Sequence, residues 1–508
     1  MVQSTNPKTQ GARRVYGGIH LTQVTGFGEV SVAEATPIIE VQYPYNINTE
    51  IVMRNLNGSG TATVADSLLT ITTGTTIGST AMVMTRDTAK YHPNQGTMAR
   101  FTAIFTPGVA GTTQEYGYGL VTDGFFFGFD GADFGILRRS NGAREIQTLT
   151  ISAGAGTASG DIRITLDGDT NDVTVAVNDT VGDIVRKIVA ETDWNTIGTG
   201  WTAEANGDEV LFRAFDAIAK TGTFSIADVS TTTGVAGSFS ETIVGKAPTD
   251  SWTKQIDWNV DKLDGTGLSG MTLDVTKGNV YAIQVQWLGF GVIRFCVEND
   301  DDGEFLIVHQ IKYANANVEP SIRNPSLPLH CRVNNGSTSS DISIKTASGA
   351  VSTEGKDEQL GLTFSTTSAK VLTDTTETVI MAVKPKTVYQ GVENRVNMLP
   401  LFMTLSAVGT GAAKFHTIRL YLDPIIGGDP NFVDINTANS MTAVDVDATT
   451  VSGGTQIGSV TLGQVESSSF DVQAIIPIIR PGRLVVVTAQ VSGGTSDIEV
   501  SGIWRELF

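Results

Sequence analysis

Between residues 279 and 311 apolar and polar side chains are arranged in three short runs separated by turn chemistry. Val280, Ala282, Val285 and Trp287 interleave with Tyr281, Gln284 and Gln286; Leu288-Gly289-Phe290-Gly291 breaks the run with two glycines. Val292 to Val297 is apolar apart from Arg294, residues 298–304 are hydrophilic, and residues 305–311 turn apolar again. Short β-rich runs bounded by glycine and acidic turn residues predict a strand meander. The same pattern predicts strands at 61–64, 68–72, 81–85, 98–106 and 134–138, two more between 24 and 41, and a hairpin of 116–121 with 124–129 around Thr122-Asp123.

Near Glu145 the character changes. Strands are expected at 147–152, 161–166, 173–177, 201–205 and 209–214, with one helix at 181–192. Val181, Ile184, Val185, Ile188 and Val189 fall at i, i+3, i+4, i+7 and i+8, a single apolar face. Thr180 is placed to cap this helix, and Asp183 sits by its positive end. After Pro248 the earlier pattern resumes, with Trp252, Trp258 and Trp287 in one segment and further strands at 329–333 and 342–345. Residues 350–361 (AVSTEGKDEQLG) read as a polar linker. Strands then follow at 378–388, 399–407, 415–422, 456–462, 470–478, 484–491 and 498–504, enough for a second sandwich. The phrase VSGGT recurs at 451–455 and 491–495, two copies of a turn and not a solenoid repeat.

These elements predict an all-β chain with a small α+β insertion. Residues 1–23 form a flexible arm; 24–144 and 247–350 are the halves of one β-sandwich; 145–246 is an inserted module; 351–508 is a C-terminal β-sandwich. Insertion at a hairpin is cheap because loop-closure entropy grows slowly with length, so the module is expected to be excisable. Three independent domains in a row are the alternative.

Composition agrees. Charged residues are 17% and hydrophobic ones 40% of 508, and Gly is 55, which favours many short strands. The net charge of −19 repels nucleic acid and anionic membrane, so neither is an expected partner. Lys8, Arg13 and Arg14 run against that sign in the N-terminal arm. Met1 to Gln10 lacks the apolar stretch of a signal peptide and no run approaches the length of a membrane span, so a soluble protein made in a cytoplasm is expected. Cys296 and Cys331 lie in apolar runs and are expected as buried thiols.

No catalytic, cofactor-binding or metal-binding residue is assigned. The acidic stretch Glu298-Asn299-Asp300-Asp301-Asp302-Gly303-Glu304 lacks the carboxylate six residues past the glycine that an EF-hand needs, where His309 stands instead; a solvated hairpin tip is expected, and a looser calcium loop is the alternative. In Gly124-Phe125-Phe126-Phe127-Gly128-Phe129 neighbouring phenylalanines must face opposite sides of a strand, which favours two apolar layers over a sugar-stacking platform. His20, His92, His309, His330 and His416 are scattered without a metal spacing, and no nucleophile or phosphate-loop motif is present. Carboxylates are plentiful, but no spacing marks a glycosidase pair, so the chain is read as non-enzymatic.

Three long phrases carry a resemblance. FGEVSVAEATPIIEVQYPYNINTEIV, DGFFFGFDGADFGILRRSNG, and QWLGFGVIRFCVEND with FLIVHQIKYANANVEPSIRNPSLPLHCRVNNG resemble a family of virion structural proteins of tailed phages and large DNA viruses, over about residues 27–350. The sandwich looks like a laminin-G or concanavalin-type lectin sandwich, and the module is similar to insertion domains of flagellin-like and phage surface proteins. The resemblance implies a fibre, spike or decoration protein on the capsid or tail, at the virion surface. Its implied partners are other virion proteins. The −19 charge, the many loops and apolar strands at sheet edges lead separately to a homo-oligomer, a trimer, mounted on a larger particle. The Thr-, Ser-, Gly- and Asp-rich module 145–246 is the expected exposed part, either contacting host surface glycans or serving as passive decoration. A carbohydrate-binding adhesin or polysaccharide depolymerase is the alternative. The family supplies no defined site, so no functional residue is carried over.

Overall fold

The computed structural model describes residues 35–508 apart from 94, 192–193, 195–199, 230, 374, 410–413, 429 and 477. The N-terminal arm with Lys8, Arg13 and Arg14, His20 and the start of the first expected strand lie outside the described residues. The rest is nearly all β, with every strand ladder antiparallel and one helix longer than a single turn among the described residues.

Strands from both sides of the insertion share two sheets. One runs Phe305–Ile311, Ile293–Glu298, Asn279–Val285, Thr97–Phe105, Ser343–Thr346, Leu68–Thr72, Thr61–Ala65, and Ser348–Glu354 joins Thr97–Phe105 to Ala35–Gln42. The meander legible at 279–311 is three adjacent strands of this sheet. The other sheet runs Thr249–Lys254, Asp133–Ser140, Gly124–Asp130, Thr113–Gly119, Leu329–Asn334, Thr80–Thr85, Val52–Asn57. Between them lies an aromatic core that includes Phe101, Phe105, Tyr116, Phe127, Tyr281 and Phe295. The phenylalanine run divides as its period demands: Phe125, Phe127 and Phe129 enter this core, while Phe126 turns to the opposite face beneath Arg139 and beside His330. All four are buried, which removes the sugar-stacking reading. A side chain at Gly128 would collide with the Gln114 carbonyl on the neighbouring strand, so glycine is required there.

Two boundaries differ from the sequence reading. Residues 350–354, the start of the expected linker, are part of the strand Ser348–Glu354, because Val351 is buried against this core. Phe215–Ile218, inside the expected module, belongs to the first sandwich's compact unit; Phe215 and Ala217 bury themselves against Met82 and Val121.

The remainder of the module and the C-terminal sandwich, Arg144–Ala214, Ala219–Val244 and Gln359–Phe508, form the second compact unit. The module packs a four-stranded and a three-stranded sheet with the helix Val181–Ala190 around Leu149, Ile164, Ile184, Ile188, Trp201 and Phe212. Thr180 and Asp183 form a reciprocal capping box, each side chain bonding the other's backbone N–H. Thr180→Ala should therefore lower the stability of the module by about 1 kcal/mol, seen as faster hydrogen exchange through the helix with the first sandwich unchanged.

In the C-terminal sandwich a four-stranded sheet (Leu362–Leu372, Ser496–Leu507, Asn397–Gly409, Val465–Asp471) faces a six-stranded one, with Ile380, Met403, Leu405, Val487, Val500 and Trp504 in the core. The strand Leu362–Leu372 escaped the sequence reading because LTFSTTSAKVL is built of hydroxyl residues; Ser368 is buried and donates to the Ile380 carbonyl at 2.7 Å. The strand expected at 470–478 ends at Asp471, whose carboxylate accepts from the Ala474 N–H and turns the chain.

Candidate functional site

The turn at Leu288-Gly289-Phe290-Gly291 ends the first strand of the meander and sits on a rim of loops at one end of the first sandwich. Ser321 N–H donates to the Gly289 carbonyl at 2.8 Å, and Trp287 Nε1 donates to the Ile322 carbonyl at 3.1 Å. These bonds tie the turn to the loop at 313–328. Arg138, at the end of Asp133–Ser140, donates to the Ser321 carbonyl at 3.0 Å and lies 5.3 Å over the Tyr313 ring. Tyr313 in turn packs against Phe290, with centroids 6.2 Å apart. Arg323 Nε donates to Asn141 Oδ1 at 3.0 Å, and its backbone N–H to Asp123 Oδ1 at 3.3 Å. The hairpin tip Thr122-Asp123 is therefore part of the same rim.

Two features separate this rim from ordinary loops. Asn141 and Leu288 both hold positive φ, 66° and 35°. Asparagine tolerates that region, whereas leucine is strained in it. Leu288 is nonetheless 50% exposed, and its N–H is held by the Tyr91 hydroxyl at 3.1 Å. On the 313–328 loop that the turn is tied to, Val318 is almost fully exposed. The rim's loops thus carry exposed apolar side chains (Leu288, Val318) together with the guanidinium and amide groups of Arg138, Arg323 and Asn141. Such a surface can take the C–H face of a sugar ring while hydrogen-bonding its hydroxyls.

The residues weighed in the sequence fall elsewhere. The acidic turn 298–304 satisfies itself: Asn299 Nδ2 and the Glu304 N–H both donate to Asp302 Oδ1, at 3.0 and 2.9 Å. No group of three or more metal-ligating side chains occurs among the described residues. His92 pairs with Asp357 at 2.8 Å. His309 accepts from the Asn259 N–H, and burial pushes its pKa down to about 4. His416 bonds Ser496 and the Gly463 carbonyl. His330 lies 3.8 Å from Glu115. Cys296 and Cys331 are free and buried, and burial raises the Cys296 thiol to about 12, so both are inert.

Sequence reasoning missed a buried charge cluster on the far face of the seven-stranded sheet. Arg139 forms a fork with Glu115 at 2.8 and 2.9 Å and a second with Asp250, both at 2.8 Å, and Arg332 stands 3.9 Å from Glu115. Burial alone would raise the Glu115 pKa; Arg139, Arg332 and His330 reverse that and hold it at about 2. These residues come from four separate strands, so no local spacing announces them. On the C-terminal sandwich an open trough of about 440 Å³ is lined by Thr404, Ser406, Ser467, Ser468, Ser469, Glu499 and Ser501. A flat row of hydroxyls solvates a sheet as readily as it binds, and the rim, with its strained leucine, is the stronger candidate.

No family model and no curated protein matches the sequence. Among solved structures the chain is similar to the VIP36 exoplasmic/lumenal domain in its Ca2+/Man3GlcNAc-bound form (8% identity, TM-score 0.25, 64% of this chain and 93% of that one). It is also similar to lectin UEA-II complexed with galactose (10%, 0.22, 63% and 99%) and to the triple jelly roll of an archaeal virus turret (7%, 0.15, 94% and 98%). These are β-sandwich and jelly-roll proteins; at such TM-scores the likeness carries no argument about what this chain binds.

Proposed function

We propose that this chain is a non-enzymatic structural protein of a virion surface, a fibre, spike or decoration component assembled in the host cytoplasm, whose loop rim contacts host surface glycans. The observation that carries the binding part is Leu288. Backbone strain of this kind costs about 1–3 kcal/mol and survives where surrounding structure enforces it, often at ligand sites. Here it holds an exposed apolar side chain on a turn tied to the loop that carries Arg323, where glycine would relieve the strain. The structural part rests on the long-phrase resemblance and the acidic composition. The eleven-residue strand Leu362–Leu372 at the edge of its sheet, with Leu362 and Val371 more than half exposed, favours burial against further copies, as in the expected trimer.

The test is a glycan array probed with the full chain, its solution mass fixed by light scattering. Leu288→Gly and Arg323→Ala should each lower binding about tenfold, while Leu288→Gly leaves the thermal midpoint unchanged or raises it, because glycine accepts positive φ. Undiminished binding in both variants would refute the rim as the contact, and a monomer at micromolar concentration would refute the trimer.

A further inference from the structure

We infer that the inserted module is clasped to the C-terminal sandwich by two ionic clusters, so that the two unfold as one body despite being separated in sequence. The first cluster is centred on Glu393, on the short strand Val392–Glu393. Arg144, at the module's entrance, gives it a two-nitrogen fork, with Nε at 3.0 Å from Oε2. Arg213, from the module strand Glu209–Ala214, donates to Oε1 at 3.1 Å. Burial would raise the Glu393 pKa, but Arg144, Arg213 and Arg395 together bring it down to about 2.

The second cluster is centred on Lys384, whose side chain is 4% exposed, at the end of Thr378–Pro385. Its ammonium lies 2.6 Å from Glu204 Oε1 and also donates to the Ala205 carbonyl, while Thr387 donates to Glu204 Oε2. Glu204 and Ala205 belong to the module strand Trp201–Asn206. The Glu204 carboxylate rests over Gly482, where any side chain would meet it. Each cluster therefore takes its acid from one partner and its base from the other. A buried charge deprived of its partner is strongly destabilising, so neither piece can leave without stranding charges on both. This inference does not depend on the glycan reading. It bears on the expectation of an excisable module, because deletion of 145–246 would leave Lys384 without Glu204 and Glu393 without Arg213.

Hydrogen exchange on the intact chain tests it. Strands of the module (Ile146–Ala153, Gly160–Leu166) and core strands of the C-terminal sandwich (Thr378–Pro385, Val485–Val491) should open with a common free energy, as one cooperative unit. This measurement needs no variant, and separate opening energies in the unaltered protein would overturn the clasp. In Glu393→Gln with Lys384→Met, the module strands should exchange about tenfold faster than the sandwich strands, with Gly124–Asp130 in the first sandwich unchanged. Continued opening as one unit in that variant would also overturn it. Should that variant fail to fold, the volume-conserving pair Arg213→Met with Glu393→Gln removes one cluster only and should give a smaller separation in the same direction; no separation there would count against the clasp equally.

Discussion

Arg139→Met should destabilise the first sandwich by about 3–5 kcal/mol, the cost of stranding a buried charge. Glu115 is 2% exposed and would lose both hydrogen bonds of the fork, keeping only Arg332 at 3.9 Å and His330 at 3.8 Å. Asp250 would lose its two bonds from the same guanidinium, and Phe126 the cation 5.5 Å above its ring. Adding Glu115→Gln should recover part of the loss, because the fully buried carboxylate is then neutral while Asp250, a third exposed, stays partly solvated; hydrogen exchange at Gly124–Asp130 reads both. The same cluster sets an acid limit. Glu115 is depressed from an ordinary 4.5 to about 2, so its contribution is fully present above about pH 4.5 and lost as pH falls toward 2. A shift of that size is worth about 3 kcal/mol. Between those pH values the unaltered sandwich should weaken steeply, and the Glu115→Gln, Arg139→Met protein should weaken less. Parallel acid profiles would show that Glu115 is not the controlling group.

What was legible in the sequence was what depends on neighbours along the chain. The meander at 279–311, the capped helix after Thr180 and the two-sided phenylalanine strand each follow from a period or a cap within a few residues, and each is present, the helix ending at Ala190 rather than at 192. Segments whose side chains are ambiguous were misread. Residues 350–353 are small or hydroxylic yet pair with Thr97–Phe105, and Leu362–Leu372 is rich in serine and threonine, which serve loops and strands equally well. Charge clusters were invisible because their members meet only in space: Glu115, Arg139 and His330 come from three strands, and Arg213 meets Glu393 across 180 residues. The rim is intermediate. The double-glycine turn at 288–291 was evident, but Asn141, Tyr313 and Arg323 join it only through the fold.

The excisability read from the sequence rested on where patterns change, at Glu145 and Lys246, and pattern boundaries say nothing about which faces are buried afterwards. Arg144 is six per cent exposed at its side chain, and such a cation at a surface hairpin would be anomalous without a partner. Its partner is Glu393 of the same compact unit, so the residue that leads into the module is held by the C-terminal sandwich.

Glu506→Ala should cost the C-terminal sandwich about 2–5 kcal/mol, an unusually large effect for a residue two positions from the end of the described chain. Its carboxylate is fully buried. It accepts from Ser440 Oγ at 2.6 Å, the Met441 N–H at 2.9 Å, Thr442 Oγ1 at 2.7 Å and Trp504 Nε1 at 3.3 Å. The two hydroxyls can rotate to other acceptors. The Met441 amide and the Trp504 indole cannot, and each unsatisfied buried donor costs about 1–3 kcal/mol. Because Glu506 joins the final strand Ser496–Leu507 to residues leading into Thr442–Asp445 on the opposite sheet, the loss should loosen both sheets together. Glu506→Gln keeps one carbonyl acceptor and should cost less than half as much. Denaturant unfolding followed by hydrogen exchange at Val485–Val491, a core strand that Glu506 does not touch, would register this as a common loss of protection. A loss confined to residues 440–442 and 504–506 would instead mean that the carboxylate organises only its own corner.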